Sequence, residues 1–101
     1  MITDIAIKDK VFYILDEKGY ELSHKLVHTL GVLLGYSGEF LFFHKDNSYY
    51  TFDPRFAEIA RQHDSTLGTF CHVGGNYILF RKDNHIYTYD KYFQEVSRRC
   101  I

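Results

Sequence analysis

Apolar residues run along this chain in short stretches with alternating character, broken every few positions by Asp, Asn, Gly or Ser. Alternation over five residues or so is the mark of a half-buried strand. The pattern predicts strands over residues 31–36 and 68–73, each ended by Ser37-Gly38 or Gly74-Gly75. A second strand follows at 40–45 and 77–82; its continuous apolar run predicts burial on both faces. A third lies at Val11–Leu15, 49–52 and 86–89. A fourth carries Glu21-Leu22, Glu58-Ile59 or Glu95-Val96. Asp46-Asn47 and Asp83-Asn84 split β-rich runs, and both residue types tolerate the positive φ of a tight hairpin turn. Asp9-Lys10 takes that place near the start; Lys is a poor left-handed residue, so a looser hairpin is expected there. Helix competes over 55–63, where Phe56, Ile59 and Ala60 have helical spacing. The matching stretches, one with Gly19 in it, favour strand.

The alternation is periodic on a larger scale. Residues 38–62 and 75–99 share eleven of twenty-five positions with no gap, at an offset of 37. Thr29-Leu30-Gly31 falls on Thr66-Leu67-Gly68 at the same offset. Lys8, Asp9, Tyr13, Asp16 and Glu21 match Lys45, Asp46, Tyr50, Asp53 and Glu58, and then Lys82, Asp83, Tyr87, Asp90 and Glu95. The chain is therefore one all-β domain of three units, 1–28, 29–65 and 66–101, each a four-stranded antiparallel repeat. The first unit lacks one strand. Alternation puts Tyr13, Tyr50 and Tyr87 on one face with Leu15, Phe52 and Tyr89, and Phe12, Tyr49 and Ile86 on the other.

The Tyr-Thr-Tyr/Phe-Asp strand, the short turn after it and the Glu-Val/Ile strand make each unit resemble a β-propeller blade. The resemblance covers nearly the whole chain, at the level of shape. The Trp-Asp pair of one large blade family is absent. The alternative is a β-trefoil, whose three-fold repeat closes within one chain; the unit that is one strand short counts against it. Three blades do not close a ring, so the resemblance implies association. A homo-oligomer is expected, a dimer of six blades in its simplest form.

Composition adds less. Nine Tyr and nine Phe in 101 residues suit pleated surfaces, and a net charge of −1 with interspersed signs excludes the basic stripe of a nucleic-acid binder. The most apolar stretch, 26–43, holds His28, Glu39 and three glycines, too polar for a membrane span. Two cysteines make no disulfide framework, and a cytoplasmic, reducing compartment is expected.

Nearly every cluster with chemical potential has a structural explanation. Asp16, Asp53 and Asp90 sit where a carboxylate fixes a turn by accepting from backbone N–H groups two residues on. Glu21, Glu58 and Glu95 can pair with His24, Arg61 and Arg98. His24 and His28 have metal-ligand spacing only on a helix, and neither recurs. Cys71 beside His72 has no second ligand pair. No cofactor and no catalytic residue is expected, because catalysis needs one asymmetric site and these groups recur in every unit. The candidate ligand-binding residues are Asp46 and Asn47, Asp83 and Asn84, and the inter-unit pair His63 and Asp64, all on the rim where a propeller often holds ligands. Tyr20, Tyr36, Tyr49 and Tyr92 do not recur as aromatics in every unit and are the candidate exposed rings. The expected function is a non-enzymatic binding module with a protein partner; the alternative is a carbohydrate-binding lectin with a shallow site per repeat.

Overall fold

The structure, a computed structural model, describes residues 2–101. Its elements run β1 (Asp4–Lys8), β2 (Val11–Leu15), β3 (Glu21–Leu26), α1 (Val27–Leu30), β4 (Val32–Tyr36), β5 (Leu41–Lys45) and β6 (Ser48–Phe52). They continue as β7 (Glu58–His63), α2 (Asp64–Leu67), β8 (Thr69–Gly74), β9 (Tyr77–Lys82), β10 (His85–Tyr89) and β11 (Glu95–Cys100). The strands form three separate antiparallel sheets, β1–β3, β4–β7 and β8–β11, each a meander in chain order. The repeat of the sequence is thus a repeat of sheets, three-stranded in the first unit and four-stranded in the others. The trefoil alternative would draw strands from all three units into one barrel, and the described sheets share none.

The turns explain the repeat. Asp46 and Asn47 have φ of 51° and 63°, as do Asp83 and Asn84. Lys45 stands opposite Ser48, so the loop is the two-residue primed turn whose twist suits a hairpin. Asp9 and Lys10 adopt the same conformation, φ 51° and 65°, with Lys8 opposite Val11. The first hairpin is as tight as the others, against expectation. Its backbone is held from outside: the Val27 N–H donates to the Lys10 carbonyl at 2.9 Å, as Asp64 does to Asn47 at 3.0 Å. At the next turn Asp53 accepts from the N–H groups of Arg55 and Ala57, and Asp16 and Asp90 repeat the arrangement. Phe56 and Phe93 occupy the left-handed region there, where the first unit has Gly19. Residues 58–63 are strand β7, not helix.

Two single-turn helices escape the period-two reading. α1 and α2 link the last strand of one sheet to the first of the next, and the Thr-Leu-Gly match marks their ends. Leu30 and Leu67 point into the interior. Gly31 and Gly68 follow at φ 89° and 95°; a Cβ there would lie 2.5 Å from the His44 carbonyl oxygen and 2.6 Å from that of Arg81. Only glycine allows the inner strand to start so close to its neighbour.

The sheets stack face to face, and two seams hold the core. The forward face of the first sheet, with Phe12 and Ile14, packs on the rear face of the second, with Leu41 and Phe43, around Leu30 and Phe56. The forward face of the second sheet, with Phe40, Phe42 and Tyr49, packs on Ile78 and Phe80 of the third, around Leu67 and Phe93. Phe40, Leu41, Phe42 and Phe43 are all fully buried because the middle sheet is covered on both sides, as the unbroken apolar run predicted. The same expectation fails for Tyr77–Lys82, where only Ile78 and Phe80 are buried and Tyr77 and Arg81 are exposed, because one face of that sheet meets no other. Each seam has a serine or threonine hydroxyl clasp. Ser23 Oγ donates to the Pro54 carbonyl at 2.5 Å, and Thr51 Oγ1 to the Lys91 carbonyl at 2.6 Å. Pro54 and Lys91 are the same position of the repeat, 37 residues apart. Among the described residues no helix is long and apolar enough to cross a membrane.

Candidate functional site

A meander alternates its turns between two rims. The hairpin corners and the single-turn helices share one rim, and Asp46, Asn47, His63, Asp64, Asp83 and Asn84 all lie there. Asp64 is tied to Asn47 through the backbone bond already described, and its carboxylate Oδ2 lies 3.2 Å from His44 Nε2. His63 Nδ1 lies 2.8 Å from Ser65 Oγ and 3.5 Å from Asp64 Oδ1. Lys45 and Lys82 cap the helix-end carbonyls, donating to Thr29 and to Ser65 and Thr66. Asp46-Asn47 and His63-Asp64 are therefore brought together. Asp83-Asn84 forms the matching corner of the third sheet, where the Ile101 N–H donates to the Asn84 carbonyl. Much of this rim's polar capacity is spent inside the fold, on turns and helix ends.

Tyr49 is in a different place from the one expected. Its ring is 7 % exposed, stacked on Phe42 at 5.3 Å and edge-on to Phe80 at 5.0 Å, with its hydroxyl donating to the Gly68 carbonyl at 3.3 Å. It is a seam residue, not a platform for a ligand. Burial, and then the Asp64 carboxylate, push its pKa above the usual tyrosine value. Tyr20, Tyr36 and Tyr92 are exposed as expected.

On the rear faces a second set of polar groups recurs. Glu58 accepts from Arg61 at 3.1 Å and Glu95 from Arg98 at 3.1 Å, while the guanidinium groups lie 5.3 Å from the ring centres of Tyr50 and Tyr87. Hydrogen bonding to these carboxylates raises both arginine pKa values further. Glu21 holds His24 at 3.1 Å, with the imidazole 5.9 Å from Tyr13. His24 is in a strand and His28 in a single helical turn, so the metal spacing is not realised. No group of three metal-ligating side chains occurs among the described residues.

A cleft of about 740 Å³ opens on the opposite rim between the second and third sheets. Tyr36, Ser37, Glu39 and Pro54 form one wall, and Gly75, Asn76 and Lys91 the other. Lys91 reaches across to Glu39 at 3.7 Å. Sequence reading passed over this cleft because Ser37-Gly38 and Gly74-Gly75 registered only as strand ends. The usable signal was connectivity: in a meander the first and third turns share a rim, which brings residues 37–39, 54, 75–76 and 91 together.

Comparison with known proteins finds no matching family model, no similar curated protein and no similar solved structure.

Proposed function

We propose that the protein is a non-enzymatic interaction module built on propeller-like blades, homo-dimeric, and that it takes a protein partner in the cleft between its second and third blades. The observation that carries this reading is the composition of the cleft. It is wide and formed by four turns, with one aromatic ring, one carboxylate, one ammonium and the amide of Asn76 along its walls. Such a lining suits an extended peptide segment, which offers both backbone groups and side chains. The recurring acids and bases elsewhere are engaged in turns and ion pairs, which supports a scaffold role for them. Exposed, unpaired Cys71 and Cys100 favour a reducing compartment such as the cytoplasm.

A lectin is the second reading, favoured by Tyr36 standing at the cleft beside Glu39 and Asn76. One experiment separates them. The protein is screened on a random-peptide display library and on a glycan array, in parallel with a Tyr36→Ala/Lys91→Glu variant. Peptide binding that the variant loses at least tenfold supports the interaction module. Glycan binding lost in the variant, without peptide binding, replaces it with the lectin, and ligands that bind both proteins alike overturn the cleft.

A further inference from the structure

The two ends of the stack are unlike its interior. The forward face of the third sheet meets no other sheet. Register pairs place Leu79, Ile86, Thr88, Ser97, Arg81 and Arg99 together on it. A hollow of about 190 Å³ lies there, lined by Leu79, Ile86, Thr88, Ser97 and Arg99 with Arg98. Thr88 and Ser97 are the repeat equivalents of Thr51 and Ser23, which clasp the two internal seams. This one face therefore carries both hydroxyl donors, side by side, and no acceptor among the described residues receives them. The acceptor in each internal seam is the carbonyl at one repeat position, Pro54 or Lys91. Its remaining equivalent is Glu17, on the first sheet, whose rear face is the other uncovered one.

Charge follows the same translation. At the first seam Lys25 of one sheet and Glu58 of the next line a common cleft. Shifted by the repeat, the pair becomes Arg99 on the third sheet and Glu21 on the first. Both are exposed.

We infer that the forward face of the third sheet is the docking site for the first sheet of a second copy of this chain. Two such contacts close two copies head to tail into one ring. This rests on the dimeric blade assembly proposed above and specifies its seam: Thr88 and Ser97 clasp the turn at Glu17 of the second copy, and Arg99 stands against its Glu21. The seam is thinner than the internal ones. Phe56 and Phe93 plug those, whereas the first sheet has Gly19 at this position. Gly19 sits at φ 81° with no atom within 4 Å of a Cβ built on it, and Phe56 and Phe93 already hold φ of 63° and 59°. A phenylalanine is therefore admissible there.

Light scattering and sedimentation across a concentration series test the seam. The wild-type chain of 12.0 kDa is expected at twice its mass. Arg99→Glu, which reverses a charge at each seam, weakens association about tenfold or more, and the double exchange Arg99→Glu/Glu21→Arg restores it. Thr88→Val/Ser97→Ala loosens the dimer several-fold. Gly19→Phe tightens it at least tenfold by supplying the missing plug. Circular dichroism of each variant keeps loss of fold apart from loss of contact. A dimer indifferent to all four changes overturns this seam and leaves the dimeric reading standing; a monomer at every concentration overturns both.

Discussion

Tyr49 shows how one side chain joins composition to architecture. Its phenol lies in the seam between the second and third sheets, and burial next to the Asp64 carboxylate disfavours the phenolate. The folded pKa is raised, so the folded state keeps this proton after the unfolded chain has begun to lose it near pH 10, the ordinary tyrosine value. The stabilisation is complete below that pH and is lost as pH rises through the folded value. Urea midpoints measured from pH 8 upward should fall above about pH 10, and less steeply in Tyr49→Phe. Equal slopes in the two proteins would show that this phenol does not couple to folding.

At the scale of the element, the hairpin is the unit on which the repeat is built. Three tight turns have the same two positive φ values, yet only two have the Asp-Asn pair that accepts them readily. Lys10 holds the left-handed conformation at a cost of roughly 1 kcal/mol for a residue with a Cβ and no local hydrogen bond to offset it. Lys10→Asn copies the other two turns and should stabilise the chain by about 0.5–1 kcal/mol, read as a higher urea midpoint with an unchanged slope. A lower midpoint would mean that the lysine is not strained. The expectation of a looser hairpin failed because local preference was weighed alone. The Val27 N–H bond to the Lys10 carbonyl, from the next element, fixes the turn whichever residue occupies it.

The whole molecule is a stack of three sheets with its core in two layers. The middle sheet contributes to both, while the outer sheets each have one covered face. Strands β5 and β6 lie inside, and β1 and β11 at the margins; every residue of β11 is exposed. Opening of an outer sheet breaks one seam, whereas opening of the middle sheet breaks both. Amide hydrogen exchange should accordingly be slowest in Leu41–Lys45 and Ser48–Phe52, and fastest in Asp4–Lys8 and Glu95–Cys100. Uniform protection across the three sheets would show that they open as one unit. In the ring inferred above, the rates at the two ends should slow with rising protein concentration, since the end faces would then be covered.

Much of this was legible in the residues. The offset of 37 fixed the number of units, the alternation fixed which residues share a face, and Asp53 and its equivalents announced their turns, because strand period and turn chemistry act over a few neighbours. The single-turn helices were not legible, since four residues are too few to display a helical period; only the paired Thr-Leu-Gly marked them. Tyr49 was misplaced for a related reason. Its failure to recur as an aromatic suggested a surface role, but the difference among Phe12, Tyr49 and Ile86 reflects what each sheet packs against. Phe12 and Tyr49 face a neighbouring sheet, and Ile86 faces none within the chain. The sequence by itself determined the strands, the turns and the period, all consequences of local backbone preference and side-chain direction. Only the tertiary structure decided which faces are covered, which rim holds the large cleft and which two faces are left open, because those depend on how the sheets stack and no short stretch of chain encodes that.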